Sequence, residues 1–184
     1  MKRLIVALFA IAGQTVCAQP PQWACSDDVR FLIGNWTGRE TGVAGTGHGT
    51  REYQYILDGK YIYATNTSRF EAQERNPSGE VHRDWQFLSC DATRSKTVLR
   101  QFNSEGYVNQ YVLERPTENV LRFESEALEN SPEGTRARLT ISLISENEFE
   151  EVFELAFAGK DYGEILRNHW IRDKQLDFTF ELQR

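Results

Sequence analysis

The chain is predicted to be all-β: a roughly ten-stranded antiparallel up-and-down β-barrel entered by a short N-terminal helix. Three observations carry this. From Asn35 onward apolar and polar residues alternate with period two, the spacing that sends successive side chains to opposite faces of a strand. Turn residues interrupt that alternation at short, regular intervals, as nearest-neighbour connections require. Helical periodicity is almost absent. Closing such a meander removes its unpaired edges, which favours a barrel over an open sheet.

The elements follow in order. Ser26-Asp27-Asp28 reads as an N-cap and an acidic first turn. Val29, Phe31, Leu32 and Ile33 then supply an apolar face, and Gly34 stops one or two helical turns over 26–33. A first strand is expected over 35–41. The glycines at 42, 45, 47 and 49 suggest a flexible connection to a strand over 51–57. Asp58-Gly59 is the strongest hairpin signal in the chain and leads into 60–67. A longer loop containing Asn76-Pro77-Ser78-Gly79 precedes a strand over 83–90. Further strands are expected over 96–103, 106–114, 119–128, 135–144, 147–157 and 161–172, and the alternating tail 176–181 would suit a rim strand. No internal repeat, linker or low-complexity segment divides the chain.

The first eighteen residues differ in kind. Lys2 and Arg3 precede the apolar run Leu4 to Ala12, and Thr15-Val16-Cys17-Ala18 ends on small residues, so 1–18 reads as a secretory signal peptide cleaved after Ala18. The run is well short of the ~20 residues that span a bilayer, so no integral membrane segment is expected after cleavage. Lipid attachment at Cys17 is the alternative. Residues 19–184 then form one domain, periplasmic or secreted. Without Lys2 and Arg3 the formal charge moves from −6 to −8, and no basic stripe offsets it. That argues against nucleic acid and anionic membrane surfaces as partners, while the oligomeric state stays open.

Two cysteines remain, Cys25 and Cys90. In an oxidising compartment they suggest one disulfide tying the N-terminal segment to the end of a strand, worth ~4 kcal/mol in the chain-entropy model. Two buried thiols are the alternative. No Cys/His cluster has metal-ligand spacing.

Catalytic signatures are missing as well. There is no G-x-S-x-G elbow, and Gly45-Thr46-Gly47-His48-Gly49 lacks dinucleotide-fingerprint spacing. His48, His82 and His169 are the only imidazoles; His48 sits in a glycine-rich stretch and His82 opens a strand. What is unusual is the mixture on the strands: polar groups share faces with aromatics in 83–89, 98–103 and 107–113. That suits an interior pocket with apolar walls and a few orienting polar groups. Trp85, Arg100, Asn109, Tyr111 and Trp170 are the candidate lining, with the aromatics supplying area and Arg100 and Asn109 orientation. The charged set Arg100, Glu124, Arg136, Arg138, Glu151 and Glu154 would serve equally as external cross-strand pairs.

Phe31-Leu32-Ile33-Gly34-Asn35-Trp36-Thr37-Gly38 resembles the opening of lipocalin-like and nitrobindin-like (calycin) barrels, where a short helix runs into a G-x-W-x-G first strand. Asn76-Pro77-Ser78-Gly79-Glu80 with Asp84-Trp85, and Arg100-Gln101-Phe102 with Asn109-Gln110-Tyr111, look like uncharacterised bacterial members of that group. The resemblance implies a hydrophobic or amphipathic small molecule held in the barrel. Its nitrobindin branch implies haem on a histidine of the final strand, for which His169 is the nearest residue here.

Three functional expectations follow: non-catalytic binding of a small molecule with no cofactor; a haem barrel acting on reactive nitrogen species through His169; or a structural or partner-binding protein with a filled interior.

Overall fold

A computed structural model describes residues 27–114 and 116–173. A short 3₁₀ helix, η1 (Asp27–Leu32), is followed by ten strands. These are β1 (Gly34–Gly42), β2 (Gly45–Ile56), β3 (Tyr61–Phe70), β4 (Glu80–Asp91) and β5 (Lys96–Asn103), then β6 (Val108–Leu113), β7 (Val120–Glu129), β8 (Arg136–Ser145), β9 (Glu148–Ala156) and β10 (Gly163–Arg172). Each strand pairs antiparallel with its neighbours in sequence, and β1 closes on β10. The expected closed meander is the observed fold.

The strand bounds match the alternation to within a few residues, with one exception. The glycine stretch is not a connection. Gly45 to Gly49 are the first half of β2, and the turn shrinks to Val43-Ala44. These glycines make room: a Cβ on Gly47 would stand 2.7 Å from the Phe70 ring, and one on Gly49 would stand 2.5 Å from Trp170. Asp58-Gly59 does mark a hairpin, but the loop has four residues between the pair Ile56 and Tyr61, with Leu57, Asp58 and Gly59 all at positive φ. The tail 176–181 and Cys25 lie outside the described residues.

The two ends of the barrel differ. At one end η1 plugs the opening, and Val29 and Leu32 pack on Trp36, Tyr53, Phe149 and Trp170 in a buried apolar cluster. Trp36 and Phe149 meet edge to face at 4.7 Å, and the Trp36 indole N–H donates to the Leu32 carbonyl at 2.7 Å. Gly34 joins plug to strand at φ 122°, where a Cβ would collide with the Arg172 guanidinium at 2.8 Å. The far end carries the turns after β1, β3, β5, β7 and β9 and opens onto the cavity.

Candidate functional site

A cavity of about 540 Å³ occupies the open half of the barrel. Its walls are unlike one another. β3 to β6 contribute Asn66, Ser68, His82, Asp84, Gln86, Gln101 and Asn109 with Phe70 at the mouth, whereas β7 to β10 contribute Leu128, Leu139, Phe153, Leu155, Ile165 and Leu166 above the polar Glu151 and Asn168. Two register shifts help build the apolar side. The shift opposite Gln110/Tyr111 turns Leu128 inward across from Asn109, and the one between Glu164 and Leu166 leaves Ile165 out of the ladder and on the cavity wall.

The floor is a buried polar belt. Arg51 donates to both oxygens of Glu151, at 2.7 and 3.1 Å, to Asn66 Oδ1 at 3.1 Å and to the Tyr53 hydroxyl at 3.1 Å. Asn66 Nδ2 passes hydrogen bonds on to Ser68 Oγ at 3.1 Å and Asp84 Oδ2 at 2.9 Å, and the Ser68 hydroxyl donates to Glu40 Oε1 at 2.8 Å. Gln86 Nε2 donates to Asp84 Oδ1 at 2.9 Å, and Asn168 Nδ2 donates to Glu151 Oε1 at 3.1 Å. Buried charges persist only when paired and hydrogen-bonded in this way.

Burial acts on Arg51, Tyr53, Asp84 and Glu40. It would lower the Arg51 pKa, but Glu151 and Tyr53 more than offset it and hold the guanidinium charged. Burial is also the largest influence on Tyr53, whose hydroxyl is pushed up to about 12. Asp84 is held below the usual carboxylate range, because hydrogen bonds from His82 and the charge of Arg51 outweigh its burial. Glu40 goes the other way: burial dominates and lifts its carboxyl above the ordinary value, against the Ser68 hydrogen bond and the Arg51 charge. At the rim His82 bridges two carboxylates. Its Nε2 lies 3.2 Å from Asp84 Oδ2 and its Nδ1 lies 2.9 Å from both Glu105 oxygens. Partial burial opposes protonation there, but the two acidic partners prevail and push the imidazolium up to about 9.

Two oxygens of the belt have no donor. Glu40 Oε2 and Asn168 Oδ1 are buried without a hydrogen-bond partner. The two residues are register partners across β1 and β10.

The residues singled out in the sequence are scattered. Asn109 lines the cavity. Tyr111 and Trp170 are interior and fully buried, but they belong to the packed core. Trp85 and Arg100 are corrected: both point outward. Trp85 is 58% exposed and contacts the Tyr63 ring on the outer face, while Arg100 donates to the outward Ser89 hydroxyl. The charged set divides. Glu124, Arg138 and Glu154 do form external pairs, at 2.5 and 3.6 Å, and Arg136 lies over the Tyr162 ring, whereas Glu151 is interior.

His169 faces out of the barrel and pairs with Glu148 at 2.6 Å. His48 is exposed on β2, and both ring nitrogens of His82 are engaged by carboxylates. The arrangement therefore offers haem iron no free imidazole inside the cavity, and the His169 assignment does not fit. Among the described residues no group of three His, Cys, Asp or Glu side chains is placed to hold a metal ion, and no helix is long and apolar enough to cross a membrane.

Glu40, Arg51, Asn66, Ser68, Asp84 and Asn168 were not foreseen as the floor. The available signal was small or polar residues at every second position, as in Ala64-Thr65-Asn66-Thr67-Ser68, which places Asn66 and Ser68 on one face.

No protein-family model matches the chain, and no curated protein matches it by sequence. Solved structures do resemble it. Rv2717c from M. tuberculosis superposes with a TM-score of 0.58 at 14% identity, over 81% of this chain and 99% of that one. A redesigned β-barrel gives a TM-score of 0.41 at 11% identity, over 83% and 97%. Another, mFAP1 bound to DFHBI, gives 0.36 at 15% identity, over 80% and 100%. The likeness to Rv2717c is one of fold.

Proposed function

We propose that this protein holds a small amphipathic molecule inside its barrel, and that it does so outside the cytoplasm. The observation that carries the reading is the cavity of about 540 Å³, with an apolar wall facing a hydrogen-bonding one. Cavities of some 300–1,000 Å³ that combine apolar lining with a few convergent polar groups are the usual form of a small-molecule site. A filled barrel, the structural alternative, would leave no such space. The unlike walls suit a ligand with one apolar and one polar end, oriented with its polar end on the belt.

The leader-like segment 1–18 supports export, and a Cys25–Cys90 disulfide would be consistent with an oxidising compartment. Native mass spectrometry of the protein purified from an exporting host tests the reading, with Leu155→Trp as the variant that fills the apolar wall. A reproducible adduct on the wild type that Leu155→Trp lacks is the expected result. Bare protein in both, unchanged after incubation with lipid extract, would overturn it.

A further inference from the structure

Resting on that binding reading, we infer that the molecule's polar end is an ammonium group, seated against Glu40 and Asn168 at the junction of β1 and β10. The argument begins with which hydrogen-bonding capacity is left over. Most donors nearby are already engaged: four of the five Arg51 N–H groups, both amide N–H groups of Asn66 and one of the two on Asn168 have partners within the belt. The atoms left with no partner at all on the cavity wall at this junction are two acceptors, Glu40 Oε2 and Asn168 Oδ1. Glu40 is fully buried and Asn168 is 3% exposed, and both line the cavity. A buried acceptor without a donor costs roughly 1–3 kcal/mol.

The Asn168 amide cannot escape by flipping, since that would turn its oxygen toward the Glu151 carboxylate, which now accepts its N–H. Glu40 and Asn168 are cross-strand partners on one face, whose Cβ atoms stand about 5 Å apart, and one ammonium carries three N–H donors for such neighbouring acceptors.

Charge selects among donor-bearing heads. The cavity is lined by five carboxylates, from Glu40, Glu80, Asp84, Glu105 and Glu151, against only two cationic side chains, Arg51 and His82. Both cations are already neutralised, Arg51 by Glu151 and His82 by Asp84 and Glu105. The unmatched charge is therefore negative. An anionic head would meet a surplus of carboxylates, and a hydroxyl would satisfy one acceptor while leaving the charge unanswered. An ammonium answers both. It also relieves Glu40, whose burial disfavours its charged form. The alkyl or aromatic body then lies along Leu166, on the same strand as Asn168, and along Phe153 and Leu155 on the adjacent β9.

The test compares n-octylamine, octan-1-ol and octanoate, which differ only in the head, by isothermal titration of the mature protein near pH 7. Octylamine is expected to bind at least tenfold more tightly than octanol, with octanoate weakest. Glu40→Gln keeps the shape and one acceptor but removes the charge, so it should abolish the amine's advantage over octanol. Asn168→Ser provides a second variant should Glu40→Gln fold poorly, and it should also narrow the amine's advantage. Equal binding of amine and alcohol, or an amine preference that survives both substitutions, would overturn the ammonium assignment while leaving the binding cavity standing. No binding of any of the three by a folded wild type would count against both.

Discussion

Arg51 on β2 and Glu151 on β9 are joined by two hydrogen bonds across the inside of the barrel, although two strands separate them around the wall. The pair is a strut. It fixes how far apart the two walls of the cavity stand, and it separates the apolar plug below from the open space above. Trp170 packs beneath it, with the guanidinium 4.4 Å from the ring centroid, an approach that contributes roughly 1–2 kcal/mol when desolvated.

Removing either end of this strut leaves an unpaired buried charge. Glu151→Leu or Arg51→Met should each cost about 3–5 kcal/mol, whereas the two substitutions together should cost less than either alone. Urea unfolding of the four proteins measures this as a double-mutant cycle. Additive losses would mean that the pair does not act as a unit.

His82 predicts a pH dependence with a definite sign. Its folded pKa of about 9 stands above the ordinary 6.5, so the stability it contributes is complete below pH 6.5 and fades as pH rises through 9. The ring is about a quarter exposed, so after allowance for solvent screening the contribution is roughly 1–2 kcal/mol. The stability difference between wild type and His82→Gln should be largest at pH 6 and nearly gone by pH 10. A His82 titration midpoint near 6.5 by NMR would contradict the bridge to Asp84 and Glu105.

Much of the fold was legible because period two is a strong and repeated signal. β5 coincides with its expected bounds, and β4, β7, β8 and β9 fall within a few residues of theirs. The glycine half of β2 was not legible. Gly47 and Gly49 look like a loop by composition, and their reason for being in a strand, room for Phe70, Glu40 and Trp170, lies on other strands. The site failed for a related reason. On β4 the aromatics Trp85 and Phe87 suggest an inward face by hydrophobicity alone. In this barrel the interior at that level is polar, with Asp84 and Gln86 inside, while Phe87 packs with Tyr63 and Phe102 on the outer surface. Alternation gives two faces but does not say which one is inside when the interior itself is hydrophilic. Asn109 was picked out because it shares a strand with Tyr111, and both do point inward.

Two glycines, one on β1 and one on β10, give a prediction of their own. A Cβ on Gly38 would lie 2.6 Å from Trp170 Cε3, whereas one on Gly163 would meet only the Leu155 carbonyl at 3.9 Å. Neither glycine has a positive φ, so packing alone separates them. Gly38→Ala should destabilise by about 1–3 kcal/mol through overpacking, and Gly163→Ala should stay within about 0.5 kcal/mol of wild type. Thermal unfolding followed by tryptophan fluorescence reads both, and equal shifts would show that the indole yields freely.

Arg172 holds the plug in place. Its guanidinium donates to the Phe31 and Ile33 carbonyls, both at 2.5 Å, and to the Glu146 carbonyl at 3.1 Å, while lying 4.2 Å over the Trp36 ring. One side chain at the end of β10 thereby ties η1, the first strand and the turn after β8 together. Arg172→Met keeps much of the apolar stem but leaves those carbonyls without a donor, and it should cost about 2–4 kcal/mol. Arg172→Lys should recover only part of that, because an ammonium cannot present the planar fork that reaches several acceptors at once. Amide hydrogen exchange distinguishes a local from a global effect. Faster exchange at Ile33 and Trp36, with the amides of β4 and β5 unchanged, is the expected pattern for a loosened plug. Uniform acceleration around the barrel would show instead that Arg172 supports the whole closure between β1 and β10.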